Sequence, residues 1–134
     1  MFDQPLSPPP AGARRRAFTA VGELADVRSF AATEARAAGL GDRKVERVVL
    51  AVNEVATNAF EHTTHGCIVT IWTLPRTFVC QVDDNGRFGV PPVRRISPSS
   101  GRGHGLTLVD EVADLVRRHS HTGGTTTRLH FDRP

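Results

Sequence analysis

Two polar side chains, Glu54 and Asn58, lie four positions apart within a stretch rich in valine and alanine. At about 100° per residue they share one stripe of a helix, roughly opposite the line of neighbouring valines. Leu50 and Ala51 extend the apolar surface around the sides, so the two polar groups are expected to face a pocket. A carboxylate and an amide oxygen one turn apart suit a hydrated Mg²⁺ ion, which takes few protein ligands where phosphates supply the others. A polar helix face with an ordinary i,i+4 pair is the alternative.

A third candidate is Asp84, in the segment V-D-D-N-G at positions 82–86. With the two-residue period of a strand, Asp84 continues an apolar face, whereas Asp83 belongs to the opposite face. A carboxylate at the end of a buried face needs a hydrogen-bonding partner, and a purine amino group is one such partner. A turn formed by Asp-Asn-Gly is the alternative interpretation.

Two glycine-containing segments have the composition of phosphate-binding loops. The first, G-R-G-H-G-L at positions 101–106, opens a predicted helix. Glycines allow backbone N–H groups to approach phosphates closely, and a helix N-terminus adds unpaired N–H groups. Arg102 would add a charge-assisted contact. The second is Gly124-Thr125, where strand alternation directs Thr125 inward, towards the same pocket.

Several other catalytic or metal-binding patterns are absent from the sequence. No G-x-x-x-x-G-K-[ST] loop exists, since the one lysine, Lys44, follows Arg43. The H-R-D, D-F-G and G-x-S-x-G motifs are also missing. His62 and His65 have an H-x-x-H spacing without a convincing third ligand, so a zinc site is not expected. The two cysteines have no C-x-x-C spacing, which favours buried, inert thiols over a disulfide or a metal site.

The elements that must position these residues follow from the periodicity of apolar residues. A 3.6-residue period predicts helices, a two-residue period predicts strands, and Pro75-Arg76 separates two strands of a hairpin. Residues 85–105 form a long loop rich in glycine, proline and serine, as expected of a functional lid. This order predicts an α+β fold: a two-layer sandwich of a mixed sheet with helices on one face. The predicted helices are Glu23–Ala38, Asp42–His62 and Leu106–Arg118, and the predicted strands are Arg16–Ala20, Cys67–Leu74, Thr77–Asp84 and Thr125–Phe131.

Length and charge set broad limits on the function. The chain has 134 residues, which suits one domain, predicted at 14–134 after a disordered proline-rich tail at 1–13. No apolar run approaches the roughly 20 residues of a membrane helix, and no signal peptide is visible, so a cytoplasmic location is expected. The net charge of +3 is modest. Direct nucleic-acid binding is therefore not expected, and the arginines at 14–16 are interpreted as a solvated strand edge.

Four segments, taken in this order, resemble the ATPase superfamily shared by gyrase, heat-shock chaperones, mismatch-repair proteins and histidine kinases. The resemblance covers nearly everything from Glu23 onward. Within the superfamily, the short length, the E-x-x-T-N-A-x-x-H pattern and the L-V-D-E-V-A-D segment resemble the RsbW-like anti-sigma-factor serine/threonine kinases. No residues remain for the phosphoacceptor domain of a histidine kinase. The four segments are N-E-V-A-T-N-A-F-E-H (53–62), V-D-D-N-G (82–86), G-H-G-L (103–106) and G-G-T-T (123–126).

The resemblance implies ATP and Mg²⁺ as cofactors and assigns roles to individual residues. Glu54 falls at the position of the general base that prepares the attacking hydroxyl. Asn58 matches the Mg²⁺ ligand, and Asp84 matches the acceptor of the adenine amine. Asn58 and Asp84 thus count as nucleotide-binding residues, and the resemblance implies the same for Gly86, Arg102, Gly103, His104, Gly105, Leu106 and Thr125.

The resemblance also implies protein partners. The family phosphorylates a serine or threonine of an anti-anti-sigma protein and sequesters a sigma factor, usually as a homodimer. One departure from the pattern is Phe88, which stands where a second glycine is expected, with Gly89 one residue late. This departure favours a second hypothesis, a nucleotide-gated protein-binding module with little or no kinase activity. An interaction domain that does not bind ATP is a third.

Overall fold

The computed structural model describes residues 6–62, 66–84, 108–121 and 123–134. In this part of the chain two long helices lie against a five-stranded sheet with the strand order β1-β2-β3-β5-β4. A 3₁₀ turn at Val21–Glu23 precedes the first helix, and residues 108–112 are helical before β4. The elements are β1 (Arg14–Phe18), α1 (Leu24–Ala37), α2 (Asp42–His62), β2 (Cys67–Thr73), β3 (Thr77–Asp84), β4 (Leu115–His121) and β5 (Gly124–Asp132).

The two long helices follow the predicted apolar periods. In α2 the buried residues recur at helical spacing, and Asp42 lies in the first turn, where a negative charge is favourable. In α1 the buried residues again follow the predicted stripe, and the helix ends just before Gly39. Both helix predictions are therefore confirmed. The buried residues are Val27, Phe30, Ala31 and Ala35 in α1, and Val45, Val48, Ala51, Val52, Val55, Ala56 and Ala59 in α2.

The α+β two-layer class is confirmed, with one difference in the sheet. All four strand pairs described are antiparallel, whereas the sequence predicts a mixed sheet. β3 and β4 do run in the same direction, but β5 lies between them and pairs antiparallel with both. The parallel relation therefore exists without a parallel ladder.

The predicted third helix, Leu106–Arg118, is wrong at its C-terminal end. Residues 108–112 are helical, but β4 begins at Leu115 and pairs along its whole length with β5. Asp114 fixes the change of structure: its N–H donates to the His130 carbonyl at 2.9 Å, and its Oδ2 accepts from Lys44 Nζ at 2.7 Å. The edge of β5 thus supplies backbone partners that outweigh a weak helical period. Most of β4 is at least partly exposed, so no alternation marked it as a strand.

Both cysteines lie in the core, on the sheet face that the helices cover. Cys67 and Cys80 are free and buried. Burial raises the pKa of Cys67 to about 12, with the charge of Asp84 acting in the same direction, and burial raises the pKa of Cys80 as well. Both thiols therefore stay protonated at neutral pH, which confirms the prediction of inert cysteines.

The arginine-rich strand β1 forms one edge of the sheet. Its first four residues are exposed, as the solvated-edge interpretation predicts. Arg14 Nε lies 3.3 Å from Glu34 Oε1, and the Arg16 guanidinium lies 5.0 Å from the centre of the Phe18 ring. Charged side chains on an edge strand discourage pairing with another sheet. Among the described helices, none combines the length and hydropathy needed to cross a membrane.

His130 gives the fold a measurable pH dependence. It lies on β5 opposite Val79 and Leu115, and its Nε2 is buried with no hydrogen-bond partner among the described residues. Burial lowers the pKa of His130, and the charges of Arg128 and Arg117 lower it further. The folded pKa is thus below the value of about 6.5 in the unfolded chain. Stability linked to the neutral ring is present above pH 6.5 or so and is lost as the pH falls towards the folded pKa.

We expect His130→Phe to flatten this dependence. Between about pH 6.5 and 5, the free energy of unfolding should fall more steeply in the wild type than in the variant, because phenylalanine takes up no proton. One proton sets a limiting slope of about 1.4 kcal/mol per pH unit. Denaturant titrations at several pH values, followed by circular dichroism, measure the difference. Equal slopes for the two proteins would show that His130 protonation is not linked to folding.

Candidate functional site

The chain connectivity brings the end of α2 to the end of the sheet where Asp84 and Thr125 pair. Only four positions separate the end of α2 at His62 from the start of β2 at Cys67. Cys67 pairs with Asp84 on β3, and Asp84 pairs with Thr125 on β5. The last turns of α2 therefore lie at the same end of the sheet as Asp84 and Thr125.

Within α2, Glu54 and Asn58 lie one turn apart, about 6 Å along the axis. Both side chains are half-buried, and Asn58 Nδ2 is fully buried. The neighbouring polar residues Asn53 and Thr57 make other contacts. Asn53 Oδ1 accepts from Arg28 of α1 at 2.9 Å, and Thr57 Oγ1 donates to the Asn53 carbonyl at 2.7 Å. The helix thus presents a carboxylate and an amide on a stripe separate from its contact with α1.

Asp84 and Thr125 are joined directly. The Thr125 N–H donates to Asp84 Oδ1 at 3.1 Å, and both residues are half-buried. This approach depends on Gly124, which has a φ of +137° and whose absent Cβ would lie 2.0 Å from the Asp84 carbonyl oxygen. No L side chain fits there. Sequence reasoning missed this requirement, although the tandem glycine before a threonine run was a visible signal.

Asp83 belongs to the other face of the sheet, as strand alternation predicts. Its Oδ2 accepts from Gln81 Nε2 at 2.8 Å, and its Oδ1 accepts from the Thr126 hydroxyl. Two adjacent aspartates therefore have different surroundings. Asp84 continues the buried face formed by Phe78, Cys80 and Val82, and Asp83 does not.

The described site consists of Glu54, Asn58, Asp84 and Thr125. The predicted lid at 85–105, which includes Phe88, lies outside the described residues. The alternative of an Asp-Asn-Gly turn at the end of β3 is therefore not tested. The other predicted nucleotide-binding residues fall outside the described residues too: Gly86, Arg102, Gly103, His104, Gly105 and Leu106.

Two open grooves lie elsewhere on α2. One of about 450 Å³ is lined by residues 43–50 of α2, and another of about 380 Å³ lies between α1 and α2. Neither is lined by Glu54, Asn58, Asp84 or Thr125. The candidate site therefore rests on the arrangement of α2, β3 and β5, and not on a cavity.

The donor set fits magnesium only together with a nucleotide. Among the described residues no group of three or more histidines, cysteines, aspartates or glutamates is close enough to hold a metal ion. Asn58 and Glu54 offer one amide oxygen and one carboxylate on the same stripe. One or two protein ligands are enough for Mg²⁺ when phosphate oxygens and water complete its octahedral coordination. These oxygens are therefore compatible with Mg²⁺ in a nucleotide complex.

Comparison with protein families shows the family of the chain. A family model described as the histidine kinase-like ATPase domain matches residues 19–131. The chain belongs to this family. The resemblance to the ATPase superfamily, predicted from four short segments, is thereby confirmed. No match was found among curated protein sequences.

A solved structure shows the same fold. The chain is similar to the crystal structure of the RsbU and RsbW domains of Rv1364c from Mycobacterium tuberculosis, with a TM-score of 0.70 and 20% identity. The similarity covers 93% of this chain and 34% of that chain, so this ATPase-domain protein spans about a third of the length of its structural relative. At this identity the likeness establishes the fold of the domain.

Proposed function

We propose that this domain binds Mg·ATP at the sheet end formed by α2, β3 and β5, and acts as an anti-sigma-factor serine/threonine kinase in the cytoplasm. The observation that supports this most is the Asp84 carboxylate, which accepts the Thr125 N–H at the end of the sheet that α2 approaches. An oriented, half-buried carboxylate at the edge of a core suits recognition of a single donor group. In an ATPase-domain family that donor is the adenine amine.

Asp84 has the hydrogen-bonding capacity for this role. An ionised carboxylate has about four lone-pair sites on two oxygens, so accepting the Thr125 N–H does not exhaust it. The strand ladder on both sides holds the Asp84 backbone, and Gly124 lets β5 approach closely. The amine of adenine would therefore meet an acceptor whose position is fixed before binding.

Asn58 and Glu54 would have different roles at the phosphates, as a metal ligand and as a general base. The Asn58 amide oxygen would hold Mg²⁺, which neutralises phosphate charge when bound. Glu54, one turn earlier, would accept the proton of the attacking serine or threonine hydroxyl as a general base. Thr125 and the backbone N–H groups of the 101–106 segment would contact the nucleotide, with Arg102 and His104 among them and Gly86, Gly103, Gly105 and Leu106 completing the set.

The protein partners are part of the proposal. The hydroxyl would belong to an anti-anti-sigma protein, and the domain would sequester a sigma factor as a homodimer. The similarity of the fold to a structure that contains an RsbW domain supports this choice over a histidine kinase. Phe88 in the first glycine segment favours the second candidate, a nucleotide-gated module that transfers phosphate poorly or not at all.

A phosphotransfer assay separates these two candidates. The purified domain is incubated with γ-labelled ATP, Mg²⁺ and an anti-anti-sigma protein from the same genome. Label on that protein, abolished by EDTA and by alanine at its acceptor residue, is the expected result. Binding of ATP and of the partner without transfer of label would favour the nucleotide-gated module.

A further inference from the structure

The middle of the sheet face opposite the helices is buried, although the helices cover only the other face. Trp72 is 8% exposed, Val79 is 0% exposed and Arg128 is 6% exposed, yet none of the three belongs to the core cluster between helices and sheet. An antiparallel sheet with one face packed on helices normally leaves its other face in water. Something other than α1 and α2 therefore covers these residues.

One contact on this face comes from the segment that precedes β1. The Arg128 guanidinium donates through Nη2 to the backbone carbonyl of Ser7 and through Nε to Gln81 Oε1 at 2.8 Å. Its central carbon lies 4.9 Å from the centre of the Trp72 ring. A buried guanidinium needs such partners, and a charge-assisted bond to a carbonyl is among the stronger ones.

The strand register shows the path of this segment. Arg15, Thr70, Gln81 and Arg128 form one row across β1, β2, β3 and β5. β1 and β5 are three strand spacings apart, about 14 Å. Ser7 to Pro10 spans about 9 Å in a proline-type extended conformation. A turn at 11–12, closed by the Ala13 N–H donating to the Pro10 carbonyl at 3.1 Å, joins this stretch to β1. The Ser7 carbonyl meets the Arg128 side chain on the helix-free face.

The composition of the segment suits this role. Residues 6–10 read L-S-P-P-P, and Leu6 and Pro9 are partly buried. Three consecutive prolines fix the backbone in an extended form, so little conformational entropy is lost on docking. They also lack N–H donors, which prevents the segment from continuing as a sheet strand. Extended proline-rich segments characteristically dock on aromatic surfaces such as the one around Trp72.

We propose that the helix-free face around Trp72, Val79 and Arg128 is a binding surface for an extended proline-rich segment, occupied by residues 6–10 of the same chain as a displaceable strap. The surface is separate from the candidate nucleotide site, and the proposal does not depend on nucleotide binding. Displacing the strap uncovers Trp72, Val79 and Arg128. A tethered segment experiences a millimolar effective concentration, so the free peptide must bind in or below that range.

Trp72 makes the test direct, because it is the one tryptophan and the chain has no tyrosine. In a variant lacking residues 2–10, the emission of Trp72 should shift to longer wavelength and become more accessible to acrylamide. A synthetic peptide of residues 1–13 should reverse both changes saturably. The same peptide with alanine at positions 8–10 should bind about tenfold more weakly, because its extended form is no longer fixed.

A second variant keeps the proposal testable where the truncated protein does not fold, as judged by circular dichroism. Arg128→Lys in the full chain replaces the guanidinium with a single ammonium group. This group cannot donate to both the Gln81 side chain and the Ser7 carbonyl, so Trp72 emission should again shift. Arg43→Lys, an exposed change on α2, is the matched control and should have no effect.

Three results would overturn the proposal. Unchanged Trp72 emission in both variants would show that the strap does not cover this face. If the peptide at several millimolar does not restore the Trp72 emission of the folded truncated variant, this face is not a binding surface for the segment. Conversion of a dimer into a monomer on truncation, measured by sedimentation, would assign the segment to a second copy of the chain.

Discussion

Replacing Asp84 by asparagine is expected to lower the affinity for Mg·ATP about ten- to a hundredfold. The Thr125 N–H requires an acceptor at Oδ1, so the amide oxygen of asparagine will take that position. The amide NH₂ then faces the adenine amine, and two donors meet. An unsatisfied buried partner costs about 1–3 kcal/mol, which corresponds to this loss of affinity. Isothermal titration calorimetry of both proteins measures it.

Asp83→Asn is the matched control for this experiment. It makes the same chemical change one residue away, but Asp83 contacts Gln81 and Thr126 on the opposite face of the sheet. Its affinity for Mg·ATP should stay within a fewfold of the wild-type value. If Asp84→Asn also binds normally, Asp84 is a structural residue of the β3–β5 ladder and the adenine assignment is wrong.

Glu54→Ala should reduce phosphotransfer a hundredfold or more while ATP binding stays within a fewfold. A general base contributes about 10²–10⁴ in rate and little to ground-state affinity. Glu54→Gln, which keeps the size of the side chain but not its basicity, should behave in the same way. Rates with labelled ATP and affinities by calorimetry are compared for each variant, and Glu46→Ala, at an exposed position of the same helix, is the control.

Asn58→Ala should differ from Glu54→Ala in one respect. A metal ligand acts in both the bound complex and the transition state, so Mg²⁺-dependent binding should weaken together with transfer. Damage to α2 would instead depress both variants alike, and circular dichroism detects it. If Glu54→Ala transfers phosphate at the wild-type rate, the general base is another residue.

The sequence was sufficient to predict the elements that carry strong periods. In α2, valines at helical spacing correctly predicted the buried stripe, because burial of an apolar stripe leaves one orientation of the helix. In β3, the two-residue period correctly placed Asp84 on the face of Phe78, Cys80 and Val82 and Asp83 on the other face. The strand period alone determines this separation, because successive side chains of a strand lie on opposite faces.

The errors arose where tertiary pairing outweighs local pattern. Residues 115–118 have an acceptable helical stripe, yet β5 offers an open edge, and the Lys44–Asp114 ion pair ends the preceding helix. The docking of residues 6–10 was equally invisible. A proline-rich composition predicts the absence of helix and strand, but contact with Arg128, more than a hundred positions away, depends on the completed sheet.

Calorimetric titration of the wild-type protein with ATP and GTP tests whether Asp84 recognises adenine. We expect saturable, Mg²⁺-dependent binding of ATP below millimolar concentration. We also expect much weaker binding of GTP, because guanine presents a carbonyl oxygen where adenine presents the amine whose hydrogen bond Asp84 accepts. Absence of binding by any adenine nucleotide at millimolar concentration would contradict the proposed adenine site, as would equal affinity for ATP and GTP.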